Sequence, residues 1–122
     1  MIITLPNIEP GQGPVLMLNM IRFKDKKVYF EQYIPAFNQV VQQLGIEGVN
    51  VKLVSEVVAN IMADEGEQWD EIVVVEYPSA EAFVTIAQSE IYHQIANPLR
   101  EAGTAELKLF MTRKLTFKSY TC

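Results

Sequence analysis

Of the 122 residues one is cysteine, Cys122, and it is the last. A single terminal thiol excludes an intrachain disulfide, a thiolate metal cluster and a buried catalytic cysteine, and a reducing cytoplasm is the setting expected for such a chain. Long apolar runs are missing as well: Val15 to Leu18 and Ile72 to Val75 are the longest, far below the ~18–20 residues that span a bilayer, so no membrane partner is expected. Positive charge is scarce, with 10 Lys+Arg against 15 Asp+Glu and a net charge of −5. A basic face for nucleic acid or an anionic membrane surface is therefore not expected. No HxxxH, carboxylate cluster or glycine-rich phosphate loop is present, so the spacing predicts neither a metal site nor a phosphate-binding cofactor.

What is there is an ordinary apolar core. Hydrophobic residues make up 49% of the chain and charged ones 20%, the latter below the usual ~25%, which leaves little charge for the surface and fits burial in an oligomer. A prior of about 150 residues per domain makes 1–122 a single domain. The opening MIITLPNIEPGQGP has neither a basic leader nor a long apolar stretch and reads as a short arm, residues 1–13, rather than a secretory signal.

Residues 14–23, PVLMLNMIRF, form a run apolar on both faces and predict a buried first strand. Phe30, Ile34, Phe37, Val41 and Leu44 then recur every three or four positions, as in an amphipathic helix closed by Gly45, with Pro35 kinking it or opening its regular part. Residues 49–62, VNVKLVSEVVANIM, predict a long, bent second strand, joined through the acidic turn ADEGEQ to a third in WDEIVVVEYP. Ser79 caps a second helix with the stripe Phe83, Ile86, Ala87, Ile91 and Ile95; Asn97-Pro98 predicts a restart that Gly103 ends. LKLFMTRKLTFK, residues 107–118, alternates and carries lysines suited to an edge strand.

The resulting order β-α-β-β-α-β is the ferredoxin-like split motif, an α+β fold with a four-stranded antiparallel sheet and two helices on one face. Right-handed crossovers put strands 1 and 3 in the centre. Two helices cover one face of such a sheet. The second apolar face needs a partner, and the simplest is a second copy of the chain, giving a homodimer.

Three stretches taken together, GPVLMLNMIRFKD at 13–25, WDEIVVVEYPSAEAF at 69–83 and SEIYHQIANPLREAG at 89–103, resemble the domain-of-unknown-function family 1330 (DUF1330), in the dimeric α+β barrel superfamily. The resemblance runs over most of residues 13–115. It implies a dimeric barrel with a pocket between sheet and helices but carries no established activity. Superfamily relatives include cofactor-free monooxygenases, small-lactone isomerases and heme-degrading monooxygenases, and fold analogy does not choose among them.

Asn19 stands mid-strand in the most apolar segment, where an amide needs partners; the resemblance implies that it lines the pocket, and pinning the sheet is the alternative. Glu76, beyond IVVV, is a candidate general base, or one half of an ion pair with Arg22, which lies on the strand face opposite Asn19. Tyr77, Tyr92, His93 and Arg100 surround the second helix and the turn after it. A phenol, an imidazole and a guanidinium together suit a carboxylate or enolate, with histidine the residue that titrates near neutrality unaided. Tyr33 and Phe37 supply an aromatic wall. Trp69 and Asp70 match the family's Trp-Asp pair and are expected to cover a core end and cap a turn.

Asn19, His93 and Glu76 are thus the catalytic candidates, and Tyr92, Arg100, Tyr77 and Tyr33 the ligand-binding ones. The function these imply is a small organic, anionic ligand held in a homodimer, with cofactor-independent isomerase or monooxygenase chemistry. The alternative is a non-catalytic dimeric module whose polar residues satisfy one another. Heme-binding or heme-degrading relatives imply a third reading, but the Trp place of that pattern is Tyr77 and its His place Ala96, three residues after His93.

Overall fold

The computed structural model describes residues 4–5 and 13–115. Its sheet has the order β2-β3-β1-β4, with β1 (Val15–Phe23), β2 (Asn50–Glu56), β3 (Glu71–Tyr77) and β4 (Thr104–Thr112), every neighbouring pair antiparallel. The two double-sided apolar strands are the central ones, as their sequences require. The strand expected over 107–118 instead runs over Thr104–Thr112, and residues 113–115 are not in the sheet; residues 116–118 and most of the arm, residues 1–3 and 6–12, lie outside the described residues.

Val15, Met17 and Ile21 point from β1 to the helices and are buried. They pack with Val40, Ala80, Ile86 and Ala96 from the helical layer and with Tyr29, Val73 and Leu107 in a second cluster. The outward residues of the central strands, Leu16, Leu18, Met20, Ile72 and Val74, are only half-buried. Beside them Leu53 and Phe110 are 49% and 48% exposed.

The first helix, α1 (26–43), begins at Asp25, whose carboxylate accepts from the Val28 N–H at 3.2 Å. It contains a π-helical turn, Tyr29–Tyr33, before its regular part, Ile34–Gln43. Gly45, at φ 68°, closes it: its N–H donates to the Gln42 carbonyl and that of Ile46 to the Val41 carbonyl, the two bonds of a Schellman ending. The second helix, α2 (Ala80–Gln88), is capped by Ser79 Oγ as expected.

Three further expectations are corrected. The second strand ends at Glu56, not at residue 62. One rung remains beyond it, the Val57 N–H donating to the Asp70 carbonyl at 2.9 Å, while the Asp70 N–H donates to the Ile21 carbonyl and its carboxylate accepts from the Phe23 N–H at 2.8 Å, which ties the start of β3 to β1. Past that rung Val58, Ile61 and Met62 are 90%, 88% and 95% exposed. The second helical segment breaks at Ser89, with ψ 143°, rather than at Asn97-Pro98. The third helix, α3 (90–103), starts there and runs through a π-helical turn, Tyr92–Ala96, into Asn97–Gly103 without interruption. Finally, Arg22 pairs with Glu106 at 3.4 Å and Glu76 with Lys52 at 3.3 Å, not with each other.

Candidate functional site

A cavity of about 410 Å³ opens between the inward face of the sheet and the three helices, within the size range of small-molecule sites. Its walls are mainly aliphatic and aromatic, with Met17, Met111 and Leu109 from the sheet and Phe37, Phe83 and Ile86 from the helices. Asn19, Tyr33, Tyr77, Tyr92, His93 and Arg100 all reach it. Strand periodicity brings Asn19 to the helix side, where it sits opposite Val73 and Leu109. The same periodicity sends Glu76, opposite Leu16, to the other face. Glu76 is therefore not brought to this cavity, and no carboxylate lines it among the described residues.

The Asn19 amide is held by its nitrogen: Nδ2 donates to the carbonyls of Met17 at 3.1 Å and Val73 at 3.2 Å. Both partners accept only, which fixes the amide's orientation and leaves Oδ1 as an acceptor with no partner among the described residues. Tyr33 and Tyr92 meet hydroxyl to hydroxyl at 3.0 Å. Each stands in a π-helical turn, Tyr33 at the end of the first and Tyr92 at the start of the second. Burial pushes the Tyr33 phenol well above the ordinary tyrosine range, helped by Tyr92, and burial likewise raises Tyr77. These are neutral hydroxyls at physiological pH, able to donate or accept. Tyr77 is 5% exposed and packs edge-on against Phe83, with ring centroids 5.3 Å apart.

Arg100 is bound to a neutral partner. Its Nε and Nη2 donate to Asn97 Oδ1 at 3.0 and 2.9 Å, and the nearest carboxylate oxygen, of the exposed Glu101, is 3.9 Å away. The guanidinium keeps most of its charge and its second terminal nitrogen for another anion. His93 is exposed at the rim, its ring edge-on to Tyr92 at 6.0 Å. Ala96, at the place of a heme-ligating histidine in the resemblance, is completely buried. The residues at that place do not fit axial ligation, and among the described residues no group of three His, Cys, Asp or Glu side chains could hold a metal ion.

Sequence reasoning missed Asn97 as the partner of Arg100. The signal was the i, i+3 spacing, which puts two side chains on one helix face. It also missed Ser89, whose Oγ accepts from the Tyr92 N–H at 3.2 Å and donates to the Ile86 carbonyl at 2.7 Å. Thr4 and Leu5 of the arm border the cavity as well. Trp69 is buried, and the Asp70 carboxylate holds the Phe23 N–H beside the β1–β4 bulge rather than capping a turn.

The fold has counterparts among solved structures. The chain is similar to RPA0582 of Rhodopseudomonas palustris, a protein of unknown function, at 24% identity over 86% of this chain and 85% of that one, with a TM-score of 0.72. It is also similar to an ethyl tert-butyl ether D (EthD) family protein, BH0200, of Bacillus halodurans C-125, at 13% identity over 85% and 100% of the two chains and a TM-score of 0.57. A Dabb family protein of Mesorhizobium loti with a ferredoxin-like fold matches at 9% identity over 86% and 100%, with a TM-score of 0.54. At such identities the likeness is one of fold alone. No curated protein matches the chain. The DUF1330 profile, by contrast, aligns with residues 14–112, from the start of β1 to the end of β4, and the chain belongs to this family, described as a domain of unknown function.

Proposed function

We propose that the protein is a homodimer that binds a small organic anion in the cavity between sheet and helices. The observation that carries the reading is the cavity itself: about 410 Å³, mainly apolar, with Asn19, Tyr77, His93 and Arg100 converging on it and, among the described residues, none of the four paired with an opposite full charge closer than 3.9 Å. Dimerisation rests on the outward sheet face, where Leu18, Val74 and Phe110 lie side by side with no helix over them. A reaction in this cavity would be an isomerisation or oxygenation without a resident cofactor. Tyr33, Tyr77 and Tyr92 would position the ligand, and Asn19 and His93 would act on it. Glu76, on the far face, is excluded from that set.

A second reading, a non-catalytic dimeric module, draws on the Tyr33–Tyr92 and Asn97–Arg100 pairs, which satisfy each other without a ligand. Native mass spectrometry of freshly purified protein, set against the denatured chain mass, separates the readings. A dimer carrying extra small-molecule mass is the expected result. A dimer that takes up no organic acid at millimolar concentration supports the module, and a monomer at micromolar concentration overturns the sheet-face argument.

A further inference from the structure

We infer that the ligand is two-ended, a planar or aromatic carboxylic acid that also carries a hydroxyl, with the carboxylate at Arg100 and the hydroxyl donating to Asn19. This rests on the small-molecule reading above and adds the polarity of each end. At one end, the guanidinium is parked on the neutral Asn97 Oδ1, which fixes its plane and cancels none of its charge. Glu101 Oε1 accepts from Asn97 Nδ2 at 3.3 Å and lies 3.9 Å from Arg100 Nη2, on a side chain 66% exposed, where an ion pair contributes little. A planar guanidinium so oriented matches a carboxylate, which takes two parallel N–H bonds.

At the other end, the polarity of Asn19 is not a free choice. An amide with no fixed partners could turn to present nitrogen to an oxyanion. Here Nδ2 is committed to the Met17 and Val73 carbonyls, and turning the amide would set Oδ1 against two carbonyl oxygens. Asn19 therefore presents an acceptor to the cavity and selects a hydroxyl or N–H over a ketone, ether or enolate oxygen. A buried acceptor facing an ether oxygen stays unpaired, and a site built for an O–H rejects the analogue lacking it strongly. Between the two ends, Phe37, Phe83 and Met111 offer flat apolar surface, which favours a ring over a flexible or heavily hydroxylated chain.

The test uses 4-hydroxybenzoate, 4-hydroxyphenylacetate and 4-hydroxycinnamate, which vary the distance between the ends, together with the methyl ether and the carboxamide of each. Dissociation constants are read from backbone amide shifts of the 15N-labelled protein. For at least one length the hydroxy acid is expected to bind tenfold or more tightly than its ether, and tenfold or more tightly than its amide. In Arg100→Gln the preference for acid over amide should vanish while that for hydroxyl over ether persists. Should the variant fail to fold, the acid–amide comparison on the wild type still decides the Arg100 end. Ethers that bind as well as the hydroxy acids overturn the inference at Asn19, and amides that match the acids overturn it at Arg100. Either failure leaves the cavity reading standing. If no probe of any length shifts the resonances of Asn19, Tyr92 or Arg100, the small-molecule reading itself fails.

Discussion

Asn19 shares its strand face with Val15, Met17 and Ile21, and it is tolerated there because strand neighbours, not water, satisfy its nitrogen. Asp70 meets a comparable need at the sheet end, where its carboxylate takes the Phe23 N–H at the register shift between Arg22 and Phe23. Gly103 is required for space rather than for φ: a Cβ there would lie 3.0 Å from the Tyr29 nitrogen and 3.1 Å from its Cα. Backbone cannot yield as a side-chain tip can, so Gly103→Ala should destabilise by ~1–3 kcal/mol through overpacking. Urea denaturation would register this as a lower midpoint at unchanged slope. Ile21, fully buried, belongs to the opposite case, and Ile21→Ala should cost about 2–5 kcal/mol by leaving a cavity.

At the scale of elements, the two π-helical turns follow one pattern. Tyr29–Tyr33 precedes Pro35 and Tyr92–Ala96 precedes Pro98, each proline standing two residues beyond its turn. A proline has no N–H to return and crowds the carbonyl four residues back; the wider turn, closed by Ile34 N–H to the Tyr29 carbonyl and Asn97 N–H to the Tyr92 carbonyl, relieves both. Placing one extra residue in each helix rotates Tyr33 and Tyr92 toward each other at the cavity. Ser89 fixes α3 from the other side by capping the N–H of Tyr92. Ser89→Ala should cost ~1 kcal/mol as a lost cap. It should also loosen the Tyr33–Tyr92 contact, visible as altered tyrosine absorbance during an alkaline titration.

At the scale of the whole molecule, the described residues cover the sheet on one face only. Leu18 stands centrally on the other, between Val74 and Phe110, and Leu18→Glu should convert the proposed homodimer to a monomer in size-exclusion chromatography with light scattering. Alkali tests the interior. Burial, with Glu71 adding, pushes Tyr29 up to about 12, and burial also raises Tyr33 and Tyr77. The folded state thus keeps protons that unfolded tyrosines release from pH 10 upward. The stability these phenols confer is full below pH 10 and falls as pH rises toward each folded value, by about 1.4 kcal/mol per pH unit for each tyrosine held protonated. Chemical denaturation at a series of pH values should show that decline, and Tyr29→Phe should make it shallower.

The sequence by itself determined the strand and helix order, the central position of β1 and β3 and the ends of α1 and α2 at Gly45 and Ser79. These depend on side-chain periodicity, glycine at positive φ and a local cap, all legible over a few residues. It also separated Asn19 from Arg22 by strand parity, though the same parity applied across β3 would have set Glu76 aside had the register been known. Register is a property of paired strands, and only the tertiary structure decided it. Pairing also settled where β2 ends: the Val57 N–H still reaches the Asp70 carbonyl, and past that rung residues 58–62 have no ladder among the described residues. The two widened turns trace to Pro35 and Pro98, and the break at Ser89 to a serine that caps the helix after it, whereas which side chains those turns bring together depends on how the helices sit on the sheet. The polarity of Asn19 and the neutral partner of Arg100 likewise come from contacts between or along folded elements, and those contacts give the cavity its chemistry.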